Sequence, residues 1–155
     1  MTIQIDSREK ARAITKILTE FDSQSIKHFI SKLPVGDYMS FDNPRLIIDR
    51  KQNLQELCGN VCQQHKRFIA EIKRAGELDI KLIFLVEHSQ NIKTLDDVQS
   101  WDNPRLKVSP LAVSGQRLYK ILCSIEKNYN TQFLFCSKNQ TGKRIIELLG
   151  GVNDG

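Results

Sequence analysis

Apolar positions along this chain follow two rhythms, period two and period three to four, and their alternation lays out the elements. Residues 2–6 alternate around Ile3 and Ile5 and predict a short strand ending at Asp6. Ile14, Ile17, Leu18 and Phe21 then recur at the spacing of one buried helix face, with Ser7 placed to cap that helix. Residues 25–32 predict a second strand, Pro34 and Gly36 punctuate the chain, and a third strand follows at 37–41. Asp42-Asn43-Pro44 signals a turn. Leu46-Ile47-Ile48-Asp49-Arg50-Lys51 opens on a continuous apolar run, as a central strand does. One helical region over 53–76 points Val61, Phe68, Ile69 and Ile72 inward. Lys81-Leu82-Ile83-Phe84-Leu85-Val86-Glu87, rich in branched and aromatic residues, is the clearest buried strand. Leu118, Ile121, Leu122 and Ile125 predict a helix over 115–128, and residues 131–136 give a last strand. Thr141 is placed to cap a final helix carrying Ile145, Ile146, Leu148 and Leu149, which ends at Gly150-Gly151.

The strand–helix–strand–helix order of the second half implies parallel pairing, and the 37–51 hairpin implies antiparallel pairing. The expected fold is α/β, a mixed central sheet with helices on both faces. Residues 88–114 are the least regular stretch, of a length that is often functional. The peptide Asp-Asn-Pro-Arg-Leu occurs at 42–46 and again at 102–106 with unrelated flanks, which reads as reused turn chemistry.

The 155 residues fit one core, so a single domain is expected over 1–150 with a tail at 151–155. The net charge of +5 favours a polyanionic partner without requiring one. No apolar run approaches the roughly 18 residues of a membrane-spanning helix, and Met1-Thr2-Ile3-Gln4 does not open a signal peptide. Cys58, Cys62, Cys123 and Cys136 read as reduced, mostly buried thiols of an intracellular protein. Cys58, Cys62 and His65 fall on one side of a helix, but no second pair of ligands accompanies them, as a zinc site requires.

The chemistry sits at strand ends. Asp37 follows Gly36, which permits a close approach of backbone or substrate. Asp49 and Lys51 are two apart on a strand and therefore project to one face, with Arg50 pointing away. Two acids and a lysine brought together can hold a divalent metal and a water beside a phosphate. Asp37 and Asp49 are the candidate metal ligands, with the Arg50 carbonyl as a backbone ligand, and Lys51 is the candidate to orient or deprotonate the water or neutralise phosphate charge. A second cluster, Asp6-Ser7-Arg8-Glu9, closes the first strand. Arg8 is a candidate grip on the scissile phosphate. Glu9 is a candidate to reach the metal directly or through water; alternatively it complements a helix dipole while Arg8 pairs with it. Lys66, Arg67, Lys73 and Arg74 on one helix are candidate phosphate contacts, with a solvated face as the alternative. Phe68 and Trp101 read as core and loop anchor.

Taken together, Ile5-Asp6-Ser7-Arg8-Glu9, Leu33-Pro34-Val35-Gly36-Asp37-Tyr38 and Ile48-Asp49-Arg50-Lys51 resemble, in order and spacing, the nuclease domain of the XPF/Hef family, a branch of the PD-(D/E)XK superfamily. The resemblance covers nearly the whole chain. It implies a restriction-endonuclease-like fold and cleavage of branched DNA (flaps, forks and junctions) dependent on Mg²⁺ or Mn²⁺. It matches Asp37, Asp49 and Lys51 to the catalytic centre, and Asp6, Arg8 and Glu9 to the accessory cluster, with Asp6 a further metal-site candidate. Two positions depart from the family pattern. Asp49 stands where the family usually has glutamate, and Gln55 stands where it often has aspartate, with Glu56 adjacent. The helix-hairpin-helix domain that commonly follows is expected to be absent, as in the small stand-alone bacterial and phage versions. DNA is the expected partner, a homodimer is expected by resemblance, and the setting is the inside of a bacterial or phage-infected cell. The alternative is a weak or inactive module that binds branched DNA beside a partner nuclease.

Overall fold

The computed structural model describes residues 1–88 and 91–150. Its six strands are β1 (Thr2–Ile5), β2 (Lys27–Ile30), β3 (Tyr38–Ser40), β4 (Asn43–Lys51), β5 (Lys81–Glu87) and β6 (Thr131–Cys136). They form one sheet in the order β2-β1-β3-β4-β5-β6. The β1–β3 and β3–β4 pairs are antiparallel; β1–β2, β4–β5 and β5–β6 are parallel. The mixed sheet expected from the order of elements is present.

The helices are α1 (Thr15–Ser23), α2 (Leu54–Cys62), α3 (His65–Glu77), α4 (Gly115–Asn128) and α5 (Thr141–Gly150). Successive side chains of a strand face opposite sides, and β5 fills both. Leu82, Phe84 and Val86 join α2, α3 and α4 in one core layer. Ile83 and Leu85 join α1 and α5 in the other. On the first side Phe84 lies between Phe68 and Phe133, with ring centroids 4.8 and 5.2 Å away.

Four details differ from the sequence expectation. Ser7 caps nothing; a 3-10 turn over Ala11–Ile14 precedes α1, and neither has a side-chain cap. The region over 53–76 is two helices, because Gln63, Gln64 and His65 are polar and exposed or half-buried where the buried stripe between Val61 and Phe68 would have to continue. β4 begins at Asn43 and runs through Pro44, positions read as a turn. Thr141 is the first residue of α5 rather than its cap, and its hydroxyl donates to Glu87 Oε2 at 2.6 Å.

The repeated peptide behaves alike in both places: Asn43 and Asn103 each accept a bond from the arginine N–H two residues on, at 3.3 and 3.0 Å. The connection before α4 is tied down by 3-10 turns over Leu95–Ser100 and Pro104–Lys107, with Val98 fully buried. Gly151 and the expected tail lie outside the described residues.

Candidate active site

β4 ends on alternating charged residues, and the alternation sends them to opposite sides of the sheet. Asp49 and Lys51 follow Ile47 onto the α2–α4 side, where Lys51 Nζ lies 3.3 Å from Asp49 Oδ1. Arg50 follows Ile48 onto the α1–α5 side. Asp37 arrives from the adjacent loop. Its N–H donates to the Ile48 carbonyl, its carbonyl accepts from the Asp6 N–H (each 2.8 Å), and its Oδ2 accepts from the Arg50 N–H at 2.8 Å. Within a strand, the N–H and C=O of one residue point to the same edge. The Arg50 carbonyl therefore faces the Asp37 side of β4, as a backbone ligand would need to.

Gly36 makes this approach possible. Its φ is +68°, and an added Cβ would overlap Ile47 Cγ2 and sit 3.3 Å from the Ile48 carbonyl oxygen. Gly36→Ala is expected to lose about 1–2 kcal/mol to the left-handed backbone and about 1–3 kcal/mol to the overlap. It should also push Asp37 off Arg50. Thermal unfolding checks the first effect and DNA cleavage the second.

The two carboxylates are held under electrostatic stress. Burial, then the charges of Asp49 and Glu9, hold the Asp37 carboxyl well above its ordinary range. Burial likewise pushes Asp49 up to about 6; Lys51 pulls it down, while Glu71 and Glu56 add to the rise. For Lys51, burial acts to lower the pKa, but Asp49, Glu56 and Asp37 outweigh it and raise it. Lys51 is therefore a cation at neutral pH. It lies 5.9 and 5.8 Å from the ring centroids of Phe68 and Phe84. As it stands, this ammonium suits orientation and charge neutralisation rather than proton abstraction.

A raised carboxyl pKa favours the folded state at low pH, and that contribution is lost as pH rises through the folded value. For Asp49 the loss falls between its unfolded value near 4 and about 6. Asp37→Asn removes one of the crowded charges and keeps an acceptor for Arg50. In EDTA at pH 8 it is expected to melt above wild type, by about 2–4 °C per kcal/mol of repulsion relieved. The advantage should vanish near pH 4. Added Mg²⁺ should raise the wild-type midpoint and not that of the variant. Calorimetric scans over pH check this.

The accessory cluster divides. Arg8, with its side chain 64% exposed, sits at the site, where the charges of Asp37 and Glu71 act on it after its main partner Asp6. Asp6 is fully buried and cannot serve as an open metal ligand. Its Oδ2 accepts from Arg8 N (3.0 Å) and Arg8 Nε (2.6 Å), and its Oδ1 accepts from Leu33 N (2.7 Å). Burial raises its pKa, but these bonds prevail and hold it below the ordinary value. Glu9 also departs from the expected reach toward a metal. Its Oε2 accepts from Tyr38 Oη (2.6 Å) and Arg50 Nε (2.7 Å), and its Oε1 from Arg50 Nη2 (3.1 Å). Arg50 Nη1 donates onward to Glu87 Oε1 at 3.1 Å. A Glu9–Arg50–Glu87–Thr141 chain thus backs the site from the far side of the sheet.

Lys66, Arg67, Lys73 and Arg74 are all exposed on α3, but only Arg67 lines the 180 Å³ cleft that Lys51, Phe68 and Glu71 also line. Glu56 accepts from Gln52 N at 2.7 Å while its charge acts on Asp49 and Lys51. Glu71, Glu87 and Thr141 were not anticipated. Glu87 could have been, since it ends an apolar strand as Asp49 does; nothing in the local pattern marks Glu71.

A mixed sheet whose central strand carries an acid and a lysine two residues apart, facing a second acid on an adjoining loop, is the architecture of a PD-(D/E)XK nuclease domain. The ERCC4 domain family matches residues 5–149, and the chain belongs to that family. No curated protein matches it significantly in sequence. Among solved structures it resembles XPF from Aeropyrum pernix, with a TM-score of 0.69 and 17% identity over 99% of this chain and 66% of that one. It also resembles XPF from Aeropyrum pernix in complex with DNA, with a TM-score of 0.66 and 18% identity over 96% of this chain and 63% of that one. The chain spans somewhat less than two thirds of either structure.

Proposed function

We propose that this protein is a metal-dependent, structure-specific DNA endonuclease that hydrolyses phosphodiester bonds at or near a branch: a flap, fork or junction. The observation that carries the reading is the pair of crowded carboxylates, Asp37 and Asp49, beside the cationic Lys51 at the end of a central strand. Membership of the ERCC4 family supports it, and the DNA-bound relative supports DNA as the partner.

The donor set fits a divalent ion. Asp37 keeps Oδ1 and Asp49 keeps Oδ2 without a hydrogen-bond partner among the described residues. Two carboxylates with retained waters are what Mg²⁺ takes. Asp37, Asp49 and the Arg50 carbonyl would hold Mg²⁺ or Mn²⁺, which when bound polarises the phosphate and lowers the pKa of its water. The chain's own groups do the rest. Arg8 and Arg67 flank the site and position the phosphate backbone. Lys51 donates toward the attacking water or a phosphate oxygen and offsets the charge that builds on the phosphate. A homodimer in a bacterial or phage-infected cell completes the proposal, on the strength of the family resemblance.

Two observations favour the second reading, a DNA-binding module beside a separate nuclease. Among the described residues no three His, Cys, Asp or Glu side chains are grouped to hold a metal, and Asp49 and Gln55 depart from the family pattern. Cleavage of labelled duplex, 3′-flap, fork and four-way junction DNA with Mg²⁺, Mn²⁺ or EDTA decides. Metal-dependent cutting of a branched substrate supports the endonuclease; binding without cutting in either metal supports the module.

A further inference from the structure

A second concavity, larger than the cleft beside Lys51, opens elsewhere on the described residues. It is a groove of 820 Å³ between α2 and the 103–117 segment, floored by Cys58 and Cys62. No aspartate or glutamate lines it, and two arginines do, Arg105 and Arg117. Both are exposed, and neither side chain makes a hydrogen bond or ion pair among the described residues. Arg8, Arg45, Arg50 and Arg144 have carboxylate partners, whereas Arg12, Arg67 and Arg74 have none either among the described residues; what sets Arg105 and Arg117 apart is the acid-free groove they share. Val108 and Leu111, 83% and 89% exposed, stand on the rim. Unpaired guanidinium groups in an acid-free trough call for an anion, and aliphatic rims call for something with apolar faces as well. A nucleic acid strand has both. The volume falls within the range of roughly 300–1,000 Å³ that encloses small ligands. It has room for a few unstacked nucleotides.

The groove also reaches the catalytic side. Gln55, in the first turn of α2, lines it, and Glu56, the next residue, acts on Asp49 and Lys51. These are consecutive residues, about 1.5 Å apart along the helix axis, so the first turn of α2 borders both the groove and the flank of the site. We propose that this groove holds the single-stranded arm of a branched DNA, with Arg105 and Arg117 on its phosphates and Val108 and Leu111 against its bases. The arm's role as part of a substrate rests on the nuclease reading above; binding of a single strand does not.

The test is run in EDTA, so that no cleavage intervenes. A fluorescent oligothymidylate is titrated against wild type and Arg105→Ala/Arg117→Ala over a salt series, with circular dichroism as the folding control. Each phosphate contact to a single strand contributes about 0.7 to the slope of log K against log salt. The double variant should therefore bind at least tenfold more weakly, with a slope shallower by about 1.4. In wild type, saturating oligonucleotide should slow maleimide labelling of the half-buried Cys62 in the groove and leave Cys123, outside it, unchanged. Unchanged affinity and slope, labelling of Cys62 indifferent to the oligonucleotide, or equal protection by blunt duplex would each overturn the proposal. Cleavage of a flap by wild type with Mg²⁺ but no protection of Cys62 overturns the groove alone. Protection without cleavage overturns the nuclease reading alone.

Discussion

Lys51→Ala is expected to lower single-turnover cleavage by about 10³-fold, the scale of losing one aimed charge in a catalytic site. The Kd for DNA should stay within a few-fold of wild type. The reasoning starts from the charges. Asp37 and Asp49 are both buried, the charge of Asp49 helps to raise the Asp37 pKa, and Lys51 lies 3.3 Å from Asp49. Without it the site still presents carboxylates and the flanking Arg8 and Arg67, but loses the one ammonium beside Asp49 that offsets the charge shifting onto the phosphate in the transition state. Lys51→Arg should keep the affinity and not recover the rate. A planar guanidinium cannot replace a compact ammonium between Asp49 and the rings of Phe68 and Phe84. Asp49→Asn should fail differently. It leaves the shape and removes the charge, so residual cutting should demand far more metal, which a Mn²⁺ titration reads. Wild-type rates from Lys51→Ala would remove these residues from the chemistry, whatever the family.

The strand register made this core of the site legible in the sequence. Period-two alternation alone separates Asp49 and Lys51 from Arg50, and the apolar runs before Asp49 and across β5 mark the two strands as central. The destinations of the charges around them were not legible. In Asp6-Ser7-Arg8-Glu9 only Arg8 stays at the site. Asp6 turns inward because the N–H of Leu33, 27 residues away, needs an acceptor. Glu9 turns to the far side because Arg50, sent there by the pleat, needs a counter-charge. Neither demand shows in local sequence, since each is created by a segment that only tertiary structure brings near. The break between α2 and α3 was legible in hindsight, from three polar residues interrupting an apolar stripe. The groove beside α2 was not, because its two walls are at least 40 positions apart in the chain.

The pleat that aims Lys51 at the chemistry obliges the protein to bury an arginine, and this sets the largest expected effect on stability. The Arg50 side chain is 4% exposed, between Glu9 at 11% and Glu87 at 3%. Arg50→Ala would leave two buried carboxylates facing one another without a cation, and breaking a buried ion pair in this way costs about 3–5 kcal/mol. That is a large share of the roughly 5–15 kcal/mol that holds a domain together. At about 2–4 °C per kcal/mol for a chain of this size, the midpoint should fall by roughly 6–20 °C. Replacing the whole cluster is a different perturbation. Glu9→Gln with Arg50→Met and Glu87→Gln removes every charge at once and should recover most of the loss, because the damage comes from the unpaired groups and not from the missing pair. Thr141→Val, which deprives Glu87 of one hydrogen bond, should cost only about 1 kcal/mol. Activity should follow a separate course. The Arg50 N–H that holds Asp37 is backbone and survives these substitutions, so the triple variant should regain its fold and with it much of its cleavage. If Arg50→Ala instead melts with wild type, the chain of charges behind β4 is not what fixes the strand that carries the site.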